Sequence, residues 1–200
     1  MIRIILAEDQ SLLRGALSTL LDLEEDIEVI GNVENGVLAL ELARELQPDV
    51  VVTDIEMPEM SGIELAIAIA NEKLKSKILI VTTFARPGYL ERARAAGVNG
   101  YVLKDAPSEI LADSIRRVHK GELVITQGLA EAAWAAPDPL NDREREILKR
   151  VELGNTNKQI AKHLHLSAGT VRNYLAEATQ KLAAANRIEA SRIARENGWL

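Results

Sequence analysis

The sequence predicts two domains of different class: an α/β domain built on a doubly wound five-stranded parallel sheet, then a small all-α domain. Three observations predict this. Over the first ~120 residues, short runs rich in Ile, Val and Leu alternate with longer stretches of helical period. After Leu140 only the helical period remains. The charge also splits: residues 1–138 carry 13 Lys+Arg against 23 Asp+Glu, net −10, whereas residues 139–200 carry 11 against 7, net +4. The whole-chain net charge of −6 therefore conceals a basic module. Pro137 and Pro139 forbid helix between the two. The expected division is residues 1–120, a linker over 121–138, and residues 139–200.

Strands are expected at Ile2–Ala7, Ile27–Val33, Val50–Asp54, Ile78–Thr82 and Gly100–Leu103, three of them without polar alternation, as in strands buried on both faces. Leu12, Leu13, Ala16, Leu17, Leu20 and Leu21 recur at helical spacing, as do Ala39, Leu40, Ala43 and Leu46. Ser61 with Glu64 makes a capping box that opens a third helix. A fourth helix, Tyr89–Ala96, stops at Gly97, and a fifth, Pro107–Lys120, stops at Gly121. In the basic module, Asn141 with Glu144 caps a helix bearing Ile147, Leu148 and Val151, and Thr156 with Gln159 opens Asn157–Leu164. Ser167 starts a helix with a Val171, Leu175, Ala178 and Leu182 stripe, and Asn186 opens Arg187–Glu196.

Composition removes several kinds of chemistry. With no cysteine there are no disulfides, thiolate zinc sites or cysteine nucleophiles, which fits a reducing cytoplasm. The apolar run Ile4–Ala7 meets Glu8-Asp9 at once, so neither a signal peptide nor a spanning helix is predicted at the start and no membrane partner is expected. The six aromatic residues are too dispersed for a base-stacking platform, and no P-loop or GxGxxG follows the first strand.

In doubly wound sheets, functional groups gather beyond the carboxyl ends of the strands. Here strand 1 runs into Glu8-Asp9, strand 3 ends in Asp54, strand 4 in Thr82-Thr83 and strand 5 in Lys104. Carboxylates sharing a pocket need a cation, and an all-oxygen set suits Mg²⁺. An aspartate held there could accept a phosphoryl group. Singly each residue has an ordinary reading as a helix cap, a turn former, a strand residue or a solvated lysine; five such residues at four strand ends favour the site.

The run Asp54-Ile55-Glu56-Met57-Pro58-Glu59-Met60-Ser61-Gly62, with Glu8-Asp9 before it and Thr82 and Tyr101-Val102-Leu103-Lys104 after it, resembles the receiver domain of two-component response regulators, a flavodoxin-like fold. The resemblance covers residues 1–120. It implies that Asp54 takes a phosphoryl group from a sensor histidine kinase, and that Asp9, Asp54 and the main-chain carbonyl of Glu56 ligate Mg²⁺ while Glu8 acts through a bound water. It implies further that Lys104 and Thr82 contact the phosphoryl oxygens, and that Thr82 moves toward that group as Tyr101 turns inward. Phe84, a bulky apolar residue two positions after Thr82, is expected at the pocket rim, slowing hydrolysis. No enzymatic role is expected beyond Mg²⁺-dependent phosphotransfer to, and hydrolysis of, the protein's own aspartyl phosphate.

The third helix of the basic module turns Thr170, Asn173, Glu177, Gln180 and Lys181 outward, flanked by Arg172, after a tight connection at His165-Leu166-Ser167. That pattern and the net +4 favour a helix-turn-helix in which Arg and Asn read bases in the major groove. The runs Asn141–Leu148, Asn157–Ala161, Gly169–Tyr174 and Asn186–Ala190 resemble the LuxR/GerE output domain, which with a receiver defines the NarL/FixJ class of regulators. The resemblance implies base contacts from Arg172 and Asn173, and phosphate contacts from Lys158, Thr170, Lys181 and Arg187. It also implies a homodimer on phosphorylation, paired through the last helix near Ile188, Ser191 and Arg192, on paired half-sites of double-stranded DNA. The runs Thr82–Tyr89 and Gly198-Trp199 further resemble DesR-type regulators, which implies membrane lipid genes as targets.

Two other readings compete. Asp54-Ile55-Glu56 places an acid two residues after a nucleophile, as in aspartyl-phosphate phosphatases of haloacid-dehalogenase type, although that family's nucleophile follows its first strand. A DNA-binding regulator independent of phosphorylation is the other, and the intact acidic set with Thr82 and Lys104 weighs against it.

Overall fold

The computed structural model describes residues 1–83, 87–126 and 138–200. Phe84, Trp134 and most of the stretch expected as a linker lie outside the described residues. The α/β unit runs β1 (Ile2–Ala7), α1 (Ser11–Leu21), β2 (Ile27–Val33), α2 (Gly36–Leu46), β3 (Val50–Thr53), α3 (Gly62–Asn71), β4 (Lys77–Thr82), α4 (Pro87–Ala95), β5 (Gly100–Leu103), α5 (Ser108–His119) and β6 (Val124–Ile125). All strand pairings are parallel, in the order β2-β1-β3-β4-β5-β6.

Strand alternation divides the core. On one face of the sheet Ile2, Ile4 and Leu6 join Val50, Val52, Leu79, Val81 and Val102 beneath Leu21 of α1 and Leu111, Ile115 and Val118 of α5. On the other, Gly31 of β2 faces Leu42 and Leu46 of α2 beside Ile5 of β1. Every residue of β3 is buried, as its unbroken Val50-Val51-Val52 run requires of a central parallel strand.

Among the described residues the sheet holds six strands where the sequence predicts five. Val124–Ile125 falls within the stretch expected as linker, yet pairs with Gly100 and Tyr101 of β5. Its addition satisfies backbone groups on the open edge: Val124 N–H donates to the Asn99 carbonyl at 3.0 Å, with the Val124 side chain buried.

Among the described residues, the second unit holds α6 (Asp142–Glu152), α7 (Asn157–Leu164), α8 (Ala168–Lys181) and α9 (Arg187–Glu196). Both expected capping boxes form, with Asn141 and Glu144 on α6 and Thr156 and Gln159 on α7. Val171, Leu175 and Ala178 of α8, with Leu182 just past its end, pack with Ile147, Leu148 and Val151 of α6, Ile160 and Leu164 of α7, and Ala190 and Ala194 of α9. Trp199 belongs to this same core. Among the described residues, no helix is long and apolar enough to cross a membrane.

Candidate functional site

The strand ends of the α/β unit converge as their order demands. β1 lies beside β3, so Glu8 and Asp9 emerge next to Asp54, and the backbone N–H of Asp54 donates to the Ala7 carbonyl at 2.9 Å. Carboxylate oxygens of Glu8, Asp9 and Asp54 lie within 4.8 Å of one another. β5 lies two strands from β3 but delivers a long side chain: Lys104 Nζ sits 2.8 Å from Asp54 Oδ2 and 2.6 Å from Glu8 Oε2, and its side chain is only 5% exposed. Ile55 N–H donates to Asp54 Oδ1 at 2.6 Å, which fixes the carboxylate between two donors. Thr82 is buried at the end of β4, and its carbonyl accepts from Lys104 N–H at 2.8 Å. Glu56 follows two residues after Asp54, with an exposed side chain. Tyr101, expected to turn inward on activation, is buried here.

The electrostatics follow from three carboxylates facing one ammonium. Burial pushes the Asp54 carboxyl above its ordinary range; hydrogen bonding and attraction from Lys104 oppose that, and Asp9 adds to it. Glu8 is raised in the same way, by burial first and by the Asp54 charge, against Lys104. Burial would lower Lys104, but hydrogen bonds to Asp54 and Glu8 outweigh it and hold the ammonium above its usual range. The cluster is thus short of positive charge, and an all-oxygen donor set of this size fits a hard divalent cation such as Mg²⁺.

Sequence reasoning missed the supports of this pocket. Arg14 of α1 donates from Nη1 to the Glu8 main-chain carbonyl at 2.5 Å. Gly62 opens α3 so close to β3 that a Cβ there would lie 2.1 Å from the Asp54 carbonyl oxygen. Asn35 at the start of α2 donates to Glu59 at 3.0 Å. The Asn35-Gly36 pair reads as a helix start, but nothing in one chain tells which loop it touches.

In the helical unit, the Ser167 hydroxyl accepts from Thr170 N–H at 3.0 Å and starts α8 after the turn at His165, whose φ of 54° is left-handed. Arg172 and Asn173 are exposed on the first turns of α8, as is Lys158 on α7. An open groove of about 760 Å³ is lined by Asn157, Arg172, Ala176, Gln180 and Arg187 among others.

Three of the residues expected to meet DNA or a partner also make contacts within this unit. Lys181, expected on phosphate, places Nζ 2.8 Å from both carboxylate oxygens of the fully buried Glu144, because that carboxylate also closes the α6 capping box and needs a counter-charge. Arg187 donates to Asn157 Oδ1 at 2.9 Å and so links α9 to α7. Ser191, expected at a dimer contact, is buried and donates to the Leu148 carbonyl at 3.2 Å, whereas Ile188 and Arg192 remain exposed.

Compared with known proteins, residues 4–116 match the family described as response regulator receiver domain, and residues 138–194 match bacterial regulatory proteins of the luxR family. The chain is 51% identical over 200 residues to the "Uncharacterized transcriptional regulatory protein YvfU" of Bacillus subtilis (strain 168), covering all of both chains. It is 48% identical over 202 residues to the "Transcriptional regulatory protein DesR" of the same organism, covering 100% of this chain and 99% of that one. Among solved structures, the response regulator ChrA of a heme-sensing two-component system is similar at a TM-score of 0.60 and 34% identity, over 100% of this chain and 98% of that one.

Proposed function

The chain belongs to the response regulators that join a receiver to a LuxR-type DNA-binding domain, and from that premise we propose that a phosphoryl group on Asp54, taken from a sensor histidine kinase, controls sequence-specific binding to DNA. The observation that carries the proposal is the buried Asp54 carboxylate, held by Lys104 and Ile55 N–H beside Glu8 and Asp9. In the transfer, a carboxylate oxygen of Asp54 forms the new P–O bond as the bond from phosphorus to the kinase imidazole breaks. Asp9, Asp54 and the Glu56 carbonyl would hold Mg²⁺, with Glu8 acting through a water, and the ion would supply positive charge against the carboxylate and the phosphoryl oxygens. Lys104 then exchanges part of its pairing with Asp54 and Glu8 for a phosphoryl oxygen, and the Thr82 hydroxyl supplies a further donor. The added charge at Asp54 biases a two-state equilibrium to which Thr82 and Tyr101 belong, and a homodimer results.

On paired half-sites of double-stranded DNA, Arg172 and Asn173 read bases while Lys158, Thr170 and Arg187 meet phosphates. The DesR-like runs make a membrane lipid promoter the first to test. Full-length protein is incubated with acetyl phosphate and Mg²⁺, then mixed with sheared genomic DNA. One phosphoryl group per chain, absent in Asp54→Asn, together with phosphodonor-dependent DNA capture supports the proposal. Multiple turnover of a small phosphomonoester would support the phosphatase reading instead, and equal DNA binding by Asp54→Ala and the phosphorylated protein would support phosphorylation-independent control.

A further inference from the structure

The segment that leaves Asp54, residues 55–61, carries Glu56 and lies between β3 and α3. It is tied across the molecule by bonds that the phosphotransfer chemistry does not use. Asn35 is buried at 4% exposure. Its Oδ1 accepts from Leu38 N–H at 2.9 Å and caps α2, while its Nδ2 donates to Glu59 Oε1 at 3.0 Å. The next residue, Gly36, donates its N–H to the Met60 carbonyl at 3.1 Å, and a Cβ on it would stand 2.5 Å from that oxygen. Glu59 itself has φ +63°, the left-handed region that a non-glycine residue leaves unless its surroundings hold it. A buried amide thus grips the side chain of a strained residue three positions after Glu56.

We propose that Asn35 is a positioning residue for the cation site: by holding Glu59 it keeps residues 55–61 ordered before the cation arrives, and so sets the affinity of the pocket for a divalent ion. The inference rests on the Mg²⁺ reading above, in which the Glu56 carbonyl is a ligand. A cation that must first order its own ligand loop binds more weakly by the fraction of molecules in which the loop is already in place. Loss of a charge-assisted bond that lowers this fraction to about a tenth raises the Kd about tenfold. The two jobs of Asn35 are separable. Aspartate caps a helix as well as asparagine does, so Asn35→Asp keeps the bond from Leu38 N–H but turns a carboxylate on Glu59. Glu59→Gln added to it restores the bond with its direction reversed and returns the charge to that of the original pair.

The test uses the full chain and two readouts: the Kd for Mg²⁺ by titration calorimetry, and amide hydrogen exchange of residues 55–61 in the metal-free protein. Asn35→Asp is expected to raise the Kd about tenfold, although its extra negative charge would by itself attract the cation. It is expected to speed exchange across 55–61 and leave exchange within α2 unchanged. The double variant Asn35→Asp/Glu59→Gln is expected to return both readouts to within about twofold of the original protein. Wild-type affinity in Asn35→Asp, or failure of the double variant to restore it, overturns the proposal. If the unaltered protein binds no Mg²⁺, the metal reading itself fails, and the exchange data alone decide whether Asn35 orders the loop.

Discussion

Gly62→Ala should damage the pocket around Asp54 without altering any of the side chains that line it. A Cβ at this position would lie 2.1 Å from the Asp54 carbonyl oxygen, 3.0 Å from the Asp54 carbonyl carbon and 3.0 Å from the Thr53 hydroxyl. Real Cβ atoms essentially never come within 3.0 Å of a neighbour, so one backbone segment must retreat by about an ångström. Neither can do so freely. Gly62 N–H donates to the Ile55 carbonyl at 3.0 Å, α3 is anchored by the Ser61–Glu64 capping box, and Asp54 N–H is bonded to Ala7 of β1. Overpacking of this kind costs ~1–3 kcal/mol, which for a chain of this size lowers Tm by about 2–4 °C per kcal/mol. A misplacement of about 1 Å at a reacting group costs on the order of 10²-fold in rate. The assay is the initial rate of Asp54 labelling by acetyl phosphate in Mg²⁺, read by intact mass, beside a thermal melt. Gly15→Ala in α1, where a Cβ meets nothing within 4 Å, is the control; it should stabilise by ~0.5–1 kcal/mol and label normally. Wild-type labelling and melting in Gly62→Ala would refute the reasoning.

Lys104→Met leaves the buried carboxylates of Glu8 and Asp54 facing each other without their cation, so the receiver should lose ~3–5 kcal/mol in the metal-free state, measured by urea unfolding. Asp54→Asn should do the reverse and raise the metal-free Tm, because one ammonium then faces one fewer carboxylate. The pH dependence has a definite sign: Asp54 and Glu8 have folded pKa values raised, mainly by burial, so the native state holds more protons than the unfolded chain between the unfolded and folded values. Their contribution to metal-free stability therefore grows as pH falls from neutrality into the carboxylate range, and melts of Asp54→Asn should show a flatter profile there. In the output domain, Lys181→Met should cost stability, through the stranded Glu144 carboxylate, with little change in the salt dependence of DNA binding, whereas Lys158→Ala should reduce the slope of log K against log salt by about one. Arg172→Ala should cost ~1–3 kcal/mol on a selected site and relax the base preference at one position of each half-site.

Much of this protein is written in local pattern. The Val50-Val51-Val52 run, the Ser61–Glu64 and Asn141–Glu144 boxes and the Ala178 stripe on α8 each depend on residues within a few positions of one another, and each forms as expected. The acidic ends of β1 and β3 and the lysine after β5 were legible too, because a parallel sheet delivers every strand's carboxyl end to the same rim. What the sequence by itself could not determine is which group spends its charge on which partner. Lys181, expected on phosphate, also pairs with Glu144, 37 residues away, and Ser191, expected at an interface, also donates to Leu148. Val124–Ile125 is too short to announce a strand and forms one only because β5 presents an open edge beside it. Asn35 caps its own helix by a local rule, while its second bond reaches Glu59 through folding alone. Local periodicity and capping follow from the backbone geometry of a few neighbouring residues, so one chain specifies them. Pairings between buried polar groups are set by desolvation across long loops, and only the tertiary structure decides those.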